Sequence, residues 1–192
     1  PTQAEMTKWR VTHFANPSEA QISTAIADAC RLYFPNHPSD ANRITNGLKC
    51  DTFTYGKTSI SAPAITQEKI INVMRSVLQT ESTSGQFYIK NGKAVPKINT
   101  ARGNLAIGLC QVNGPSSGVF SSMDDVRRAA WDWKFNIRLG VMCFALKFNY
   151  VLNSRSASTA VKSKVLDYAI LLYNRFPSKY KGKINDIVLS DC

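Results

Sequence analysis

The stretch TQEKIINVMRSVLQTES, residues 66–82, places an acid at an unusual point of an amphipathic helix. Ile70, Met74 and Val77 recur at intervals of three and four residues, which is the spacing of one apolar helix face. We predict a helix that begins after the first threonine of this stretch, as N-cap, and ends near its second threonine. Extending the apolar face by four residues reaches Glu81. The sequence therefore predicts a carboxyl group at the end of a buried face, where a surface carboxylate is unexpected.

Other segments of the chain carry the same helical spacing, and one segment alternates as a hairpin does. Asn16 is expected to cap the first helix, with Pro17 in its first turn. Asn91-Gly92, between two short alternating runs, predicts a tight β-turn. Further helices are predicted from residue 16 to before Pro35, after the Ser121–Asp124 capping box, at about 132–152 and at about 159–174. The expected fold class is mainly α, of the α+β type, with a helical core and a small β-hairpin.

The chain of 192 residues is long enough for one compact domain with a modest extension. Residues 36–65 are rich in Asn, Ser, Thr, Gly and Pro, a composition typical of loops with short extended pieces. We therefore predict that residues 1–65 form an N-terminal extension packed on the core and that residues 66–192 form the main domain.

The formal net charge of +11 favours anionic partners, such as nucleic acid, anionic lipid or a cell wall rich in carboxylates and phosphates. Charge alone does not choose among them. The sequence has no helix-turn-helix, zinc or RNP pattern, so nucleic acid is expected to bind only non-specifically. Several lysines lie in the last third of the chain, where a solvated face is the ordinary interpretation and a contact to anionic wall polymer the functional one.

The cysteines do not predict a metal site. Their spacing contains no CxxC, and both histidines, His13 and His37, lie in the predicted extension. Cys110 and Cys143 have apolar neighbours and are expected to be small core residues. The sequence allows a disulfide between Cys30 and Cys50 but does not require it. We expect no metal and no other cofactor.

Residues 1–11 contain charged side chains and no apolar h-region, so they do not resemble a signal peptide. The longest apolar stretches, at 140–146 and 169–173, are too short to span a bilayer. We expect a protein without membrane insertion. A substrate outside the cytoplasm would then require another route of delivery, unless the chain is a trimmed product.

Several fragments together resemble one enzyme family. They are Glu81-Ser82, Gly108-Leu109-Cys110-Gln111, Asn136-Ile137 with Gly140, and Ala169 to Tyr173-Asn174. In this order they are similar to the soluble lytic transglycosylases and goose-type lysozymes, which read roughly E-S, G-L-M-Q, N-I-x-x-G and A-Y-N. The resemblance covers about residues 66–177, each fragment is weakly specific alone, and residues 1–65 match nothing in the family.

The resemblance implies a lysozyme-like fold and cleavage of peptidoglycan glycan strands at the β-1,4 bond between MurNAc and GlcNAc. It implies that Glu81 is the catalytic acid. The substrate-binding residues that it implies are Ser82, Gln111, Asn113, Tyr173 and Asn174. Cys110 stands where the family usually has Met, so we interpret it as a packing residue and not as a nucleophile.

The position of Glu81 supports this role independently. Glycosidic cleavage requires an acid that keeps its proton near neutral pH, and apolar surroundings raise a carboxyl pKa by disfavouring the anion. The alternative is a helix-end Glu that faces solvent. No nearby acid stands out as a second carboxylate, whereas most two-carboxylate glycosidases place one across the bond. This favours the transglycosylase reaction, with a 1,6-anhydroMurNAc end, although Asp51 could approach through folding.

The other implied site residues have ordinary alternatives. Gln111 would reach the cleft from a tight turn allowed by Gly108, or be a polar loop residue. Tyr173, on an inward helix face, would partner Glu81 through its hydroxyl, or be a core aromatic. Ser82 would bind substrate or be a polar helix end. The glycine that the family usually has soon after A-Y-N is absent, since Arg175 follows Asn174, and the segment after Gln111 carries an extra residue. Both departures concern the substrate subsites.

Two alternatives to the transglycosylase remain: a hydrolytic muramidase of the same fold, and a non-catalytic lysozyme-like module of a virion or secretion assembly. In the latter, residues 1–65 would contact other proteins of the assembly. A basic wall-cutting domain without a signal peptide is most consistent with a phage protein, carried in the virion or released at lysis, that acts on the cell wall in the periplasm.

Overall fold

The computed structural model describes residues 1–33, 36–37, 40–45, 49–50, 53–54, 59–60, 67–100, 105–113, 119–153 and 165–173. Within these residues the helices are α1 Gln3–Trp9, α2 Glu19–Tyr33, α3 Gln67–Ser82, α4 Met123–Trp131, α5 Trp133–Asn153 and α6 Val165–Tyr173. The fold is mostly helical with small antiparallel sheets, which confirms the predicted α+β class at this coarse level.

The strands are short and pair antiparallel. They are β1 Asn36–His37, β2 Asp40–Thr45, β3 Lys49–Cys50, β4 Phe53–Thr54, β5 Ser59–Ile60, β6 Phe87–Lys90, β7 Lys93–Pro96, β8 Ile98–Asn99, β9 Ala106–Ile107 and β10 Val112–Asn113. Two sheets have three strands, in the orders β1-β2-β5 and β10-β9-β8, and β3-β4 and β6-β7 are two-stranded. Asn91 and Gly92, with φ of 51° and 73°, form the predicted turn between β6 and β7.

The chain divides into two compact units. Unit 1 comprises Pro1–Ala29 and Met74–Cys143, and unit 2 comprises Cys30–Val73 and Phe144–Cys192. The first 29 residues belong to the same unit as Glu81, because they form contacts with its hairpin and with α4. The predicted division between residues 65 and 66 stays a prediction.

One of these contacts corrects the predicted cap of α2. The cap is formed by Ser18, whose hydroxyl accepts from the backbone N–H of Gln21 at 3.3 Å, while the Gln21 side chain accepts from the Ser18 N–H at 2.8 Å. Asn16 lies too far before the helix to cap it. Its amide instead donates to the Phe87 carbonyl at 3.0 Å and accepts from the Phe87 N–H at 2.7 Å, which ties the N-terminal segment to β6.

The N-terminal segment is also attached through α1, a helix that the sequence pattern did not predict. Glu5 accepts from Arg127 of α4 at 2.9 and 3.1 Å, and this guanidinium is the main reason that the pKa of Glu5 falls from 4.5 to about 2. Nearby, the Phe14 ring lies 4.8 Å from Trp131 and 6.1 Å from Phe87, measured between centroids. Charge pairing and aromatic packing therefore join the first residues to unit 1.

Helix α5 is buried on more than the face that its sequence predicted. The predicted face comprised Phe135, Leu139, Met142, Leu146 and Tyr150, of which the second to fourth are buried and the first is half-buried. Further buried residues on its other faces are Asn136, Ile137, Val141, Phe144, Ala145 and Phe148. Burial on several faces is typical of a helix that lies in the core.

Cys30, Cys110 and Cys143 are buried and form no disulfide. The disulfide between Cys30 and Cys50, which the sequence left undecided, is therefore not formed. Burial raises the pKa of the Cys30 thiol to about 12. Among the described residues no group of three or more His, Cys, Asp or Glu could hold a metal ion. In the same part of the chain, no helix has both the length and the apolar character needed to span a membrane.

Candidate functional site

Glu81 lies in the last turn of α3, one residue before its end. The face that leads to it is buried as predicted: Ile70, Met74 and Leu78 are fully buried, and Val77 is nearly so. Glu81 itself is half-buried. The helix therefore continues slightly further than predicted and holds the carboxyl group at the border between core and solvent.

The chain leaves α3 through a strained turn. Thr83 and Ser84, with φ of 50° and 54°, both adopt the left-handed conformation that side chains other than glycine disfavour. The hydroxyl of Ser84 donates to the Gln79 side chain at 2.8 Å, which is one local compensation. Strain of this kind costs about 1–3 kcal/mol per residue and clusters at functional sites.

The Ser82 hydroxyl is used inside the protein. Ser82 is 8% exposed, and its hydroxyl oxygen lies 2.6 Å from the Leu109 carbonyl and 3.2 Å from the Leu78 carbonyl. A hydroxyl has one hydrogen to donate, and the shorter contact identifies Leu109 as its main acceptor. Ser82 thus joins the end of α3 to the segment between β9 and β10, and its predicted role in substrate binding stays a prediction.

That segment is a tight turn built around Gly108. Strands β9 and β10 pair Ile107 with Val112, so residues 108–111 form the connection. Gly108 has φ of 70°, and a Cβ atom there would lie 2.5 Å from Asn136 Nδ2 and 2.7 Å from the Gln86 amide. Only glycine fits both the conformation and the space, as predicted for this position.

Gln111 ends the turn with φ of 46°. Its side-chain amide donates to the Gly108 carbonyl at 2.8 Å, and its backbone N–H donates to the same carbonyl at 3.1 Å. This leaves the Oε1 atom of the half-buried side chain as the group that can accept a hydrogen bond from a ligand.

Two fully buried amide side chains hold the turn from behind. Gln86 accepts from the Leu109 N–H at 2.8 Å and donates to the carbonyls of Ala129 and Ala130 at 2.9 and 2.8 Å. Asn136 accepts from the Cys110 N–H at 2.8 Å and donates to the carbonyls of Ile107 and Ala129, at 2.9 and 3.1 Å. These bonds attach the turn to the last residues of α4 and to α5.

The end of α3, the turn and the strands enclose a cleft of about 520 Å³ within unit 1. Its lining is mainly polar and comprises Thr80, Glu81, Ser82, Thr83, Tyr88, Lys97, Ile98, Asn99, Thr100 and Gln111. A volume in this range accommodates a small organic ligand or a few sugar units.

Glu81 is the one carboxylate in this lining, within the part of the chain that the structure describes. The acids after it in unit 1 are engaged elsewhere. Asp124 pairs with Lys8 at 2.9 Å, Asp125 accepts from the Ser121 N–H at 3.0 Å, and Asp132 pairs with Arg128 at 3.0 Å. The cleft therefore combines one acid with amide, hydroxyl and ammonium groups.

The ammonium group belongs to Lys97. It donates to the Ser82 carbonyl at 2.6 Å and lies 5.2 Å from the centroid of the Tyr88 ring. A cation at a helix C-terminus is favourable because the last carbonyls carry partial negative charge. Lys97 thus stabilises the end of α3 beside Glu81.

Three of the predicted site residues lie together in the described lining of the cleft. Glu81, Ser82 and Gln111 line the cleft. Asn113 is half-buried in β10, opposite Ala106, and does not belong to this lining. Tyr173 belongs to unit 2, where its ring lies 6.3 Å from that of Phe144, and Asn174 lies outside the described residues.

Four residues of the site had no predicted role: Gln86, Asn136, Tyr88 and Lys97. Asn136 stood in a matching fragment, but nothing in its sequence context indicated that it binds the Gly108 turn. Gln86 directly precedes the hairpin in a polar segment, where a buried amide has no sequence signal. Tyr88 and Lys97 were part of the predicted alternation around the hairpin, which does not tell which face borders a cleft.

In comparisons with known proteins, no family model, no curated protein and no solved structure matches the chain.

Proposed function

We propose that this protein is a peptidoglycan lytic transglycosylase, which cleaves the MurNAc–GlcNAc β-1,4 bond and leaves a 1,6-anhydroMurNAc end. The observation that carries the proposal is Glu81, the one carboxylate in the described lining of the cleft, at the end of a buried helix face. The ordered sequence fragments around Glu81, Gln111 and Asn136 support it as well.

In the proposed reaction, Glu81 first acts as an acid. Its carboxyl group donates a proton to the glycosidic oxygen, so that the bond from this oxygen to C1 of MurNAc breaks and GlcNAc leaves as an alcohol. The positive charge that develops at C1 is stabilised by the carbonyl oxygen of the sugar's own N-acetyl group. This substrate-assisted route needs no second carboxylate, in agreement with the described lining of the cleft.

Glu81 then acts as a base. Its carboxylate takes the proton from the 6-hydroxyl of MurNAc while the oxygen of that hydroxyl forms a bond to C1. The acid is regenerated and the 1,6-anhydro ring closes without water. If water attacked C1 instead, the same site would be a hydrolytic muramidase, and the product would be heavier by one water.

The turn at Gly108 supports the proposed reaction because it holds Gln111 in place. Gln111 Oε1 is available to accept from an N–H or O–H of the sugar, while its Nε2 is held by the Gly108 carbonyl. Because Gln86 and Asn136 fix the backbone of the turn, the amide loses little conformational freedom when substrate binds. We place the bond to be cleaved between Glu81 and Gln111.

The experiment compares wild type, Glu81→Gln and Glu19→Gln on purified sacculi, with mass spectrometry of the released muropeptides. Glu81→Gln removes the transferable proton but keeps the shape, and we expect it to lower the rate by roughly 10²- to 10⁴-fold. Glu19 is 88% exposed and meets Arg75 only at 3.9 Å, so Glu19→Gln is a matched control with unchanged rate.

The masses of the products decide between the two chemistries. Anhydro ends support the transglycosylase, and reducing ends, heavier by one water, support the muramidase. Digestion by Glu81→Gln at the wild-type rate would refute Glu81 as the acid. No release by folded wild-type protein would instead favour the non-catalytic module of a virion or secretion assembly. Action on the periplasmic wall and delivery by a phage particle or at lysis follow from the proposed activity and stay predictions.

A further inference from the structure

The hairpin β6–β7 has a one-sided basic face. In its register Tyr88 lies opposite Val95, and Lys90 lies opposite Lys93. Alternate residues of a strand share a face, and directly opposed residues share it too, so these four side chains project to the same side. Lys97, next along the chain on this side, brings its ammonium within 5.2 Å of the Tyr88 ring centroid.

The chain segment that forms this face contains no acidic residue. The sequence contains no Asp or Glu between Glu81 and Asp124. Lys90 and Lys93 are exposed, and within the described residues neither forms an ion pair. Opposed like charges destabilise a strand pair, so the Lys90–Lys93 pair is unfavourable for the hairpin itself.

Tyr88 connects the basic face to the cleft. Its side chain is 53% exposed and belongs to the cleft lining. The ammonium of Lys90 lies 5.8 Å from its ring centroid, and that of Lys97 lies 5.2 Å from it. Two cations beside one exposed ring form a surface that can hold an anionic group against an apolar floor.

We propose that this basic hairpin face, formed by Tyr88, Lys90, Lys93 and Lys97, binds the carboxylates of the stem peptides that the glycan strand carries. The inference rests on the proposed function, because the strand must lie in the cleft. The protein would then prefer strands that still bear acidic peptides over bare strands, which retain only the lactyl carboxylate of each MurNAc. The charges are complementary, and the face continues directly from the lining that holds Glu81.

Because the basic face borders the cleft, a substituent of the bound strand is a better candidate ligand than a separate anionic polymer. A separate polymer would gain nothing from a face that borders the cleft, whereas a peptide attached to the sugar in the cleft must leave along its border. Ammonium groups do not distinguish carboxylate from phosphate by geometry, so the experiment has to separate these sources.

The test measures binding by calorimetry, in the inactive Glu81→Gln background, to soluble glycan fragments of equal length with and without stem peptides. We expect peptide-bearing fragments to bind more tightly. Lys90→Gln should weaken their binding roughly two- to fivefold, as for an exposed ion pair, and leave bare fragments unaffected. Tyr88→Ala should weaken the binding of both fragments, whereas Tyr88→Phe, which keeps the ring, should restore it.

Lys134→Gln is the matched control. Lys134 also lies beside an aromatic ring, 5.5 Å from the centroid of Trp133, but it belongs to α5 and not to the basic hairpin face. The substitution Lys134→Gln changes the net charge by the same amount as Lys90→Gln, and we expect it to leave the binding of both fragments unchanged. An addition of free wall polymer that bears phosphates should not displace the peptide-bearing fragment.

Equal affinity for the two fragments would overturn the inference, as would equal losses in Lys90→Gln and Lys134→Gln, which would show general charge attraction. Displacement by the phosphate polymer would also overturn it. In each of these cases release of anhydro-muropeptides by wild type would leave the proposed function intact. Failure of both the release and the binding of any glycan would overturn the two together.

Discussion

Two tight turns of unit 1, at Gly108 and at Asn91-Gly92, differ in what holds them. The turn at Gly108 is held from behind by two buried amides, Gln86 and Asn136, which satisfy its backbone groups. The turn at Asn91-Gly92 projects from the protein, and the residues beside it are the opposed lysines Lys90 and Lys93. Both use a glycine at φ near 70°, yet only the first is packed against side chains.

This difference indicates that the two turns have different roles. Buried amides hold the backbone beside Glu81 in one geometry, because each unsatisfied group there would cost about 1–3 kcal/mol. The hairpin tip is exposed to solvent, so the sequence can carry charges there that do not help folding. The rigid turn suits the proposed chemistry, and the exposed hairpin suits recognition of a substituent on the substrate.

The largest effect is expected from Gly108→Ala. The new Cβ atom would meet Asn136 and Gln86 at 2.5–2.7 Å, and an alanine at φ of 70° is strained in addition. Overpacking and strain each cost about 1–3 kcal/mol, so we expect the free energy of unfolding to fall by about 2–5 kcal/mol. Urea denaturation followed by circular dichroism measures it.

Gly92→Ala is the matched control for that substitution. Gly92 has φ of 73°, but a Cβ atom there meets nothing within 4 Å. Only the conformational cost of about 1–2 kcal/mol applies. If the two substitutions destabilised the protein equally, the contrast between a packed and an open turn would be refuted.

A smaller effect is expected from Gln86→Leu. The leucine fills a similar volume but leaves the Leu109 N–H and the Ala130 carbonyl without their buried partner, while the Ala129 carbonyl keeps its bond from Asn136. We expect a loss of about 2–4 kcal/mol in the free energy of unfolding, from more than one unsatisfied group. The urea experiment applies again, with Gln3→Leu as the control, because Gln3 is exposed and its substitution should change stability by less than about 0.5 kcal/mol. A loss in Gln86→Leu no larger than in that control would mean that the turn does not depend on the amide.

The smallest effect has the opposite sign. Lys93→Glu replaces the like-charge pair with Lys90 by an opposite-charge pair, so the free energy of unfolding should rise by about 0.2–1 kcal/mol. Binding of peptide-bearing glycan should weaken at the same time. Thermal unfolding and calorimetry measure the two quantities, and Lys134→Glu provides the same change in net charge away from the hairpin. A hairpin that lost stability on this substitution would contradict the account of an unfavourable lysine pair.

Local signals predicted the elements that frame the site. The spacing of Ile70, Met74 and Val77 predicted α3 and its buried face, and Asn91-Gly92 predicted the hairpin turn. A cap before α4 was predicted one residue too early: the predicted box began at Ser121, whereas the N-cap is Ser122, whose hydroxyl accepts from the Asp125 N–H. These features depend on residues within a few positions of one another, where helix periodicity and turn chemistry act directly.

Long-range contacts account for the differences. Asn16 was expected to cap α2 but binds Phe87, 71 residues later, because the edge of the hairpin offers an unpaired N–H and C=O. Helix α5 was expected to have one apolar face, but packing from several sides buries it more completely. Periodicity describes one element and contains no information about how many neighbours surround it.

By itself, the sequence determined that Glu81 ends an apolar helix face, that Gly108 opens a tight turn before Gln111, and that the residues between Glu81 and Asp124 include basic but no acidic side chains. Only the tertiary structure decided that the helix end and the turn border one cleft, that Ser82 joins them through the Leu109 carbonyl, and that Gln86 and Asn136 hold the turn. The physical reason is that a buried amide is stabilised by partners from distant segments, and its own neighbours in the chain do not identify those partners.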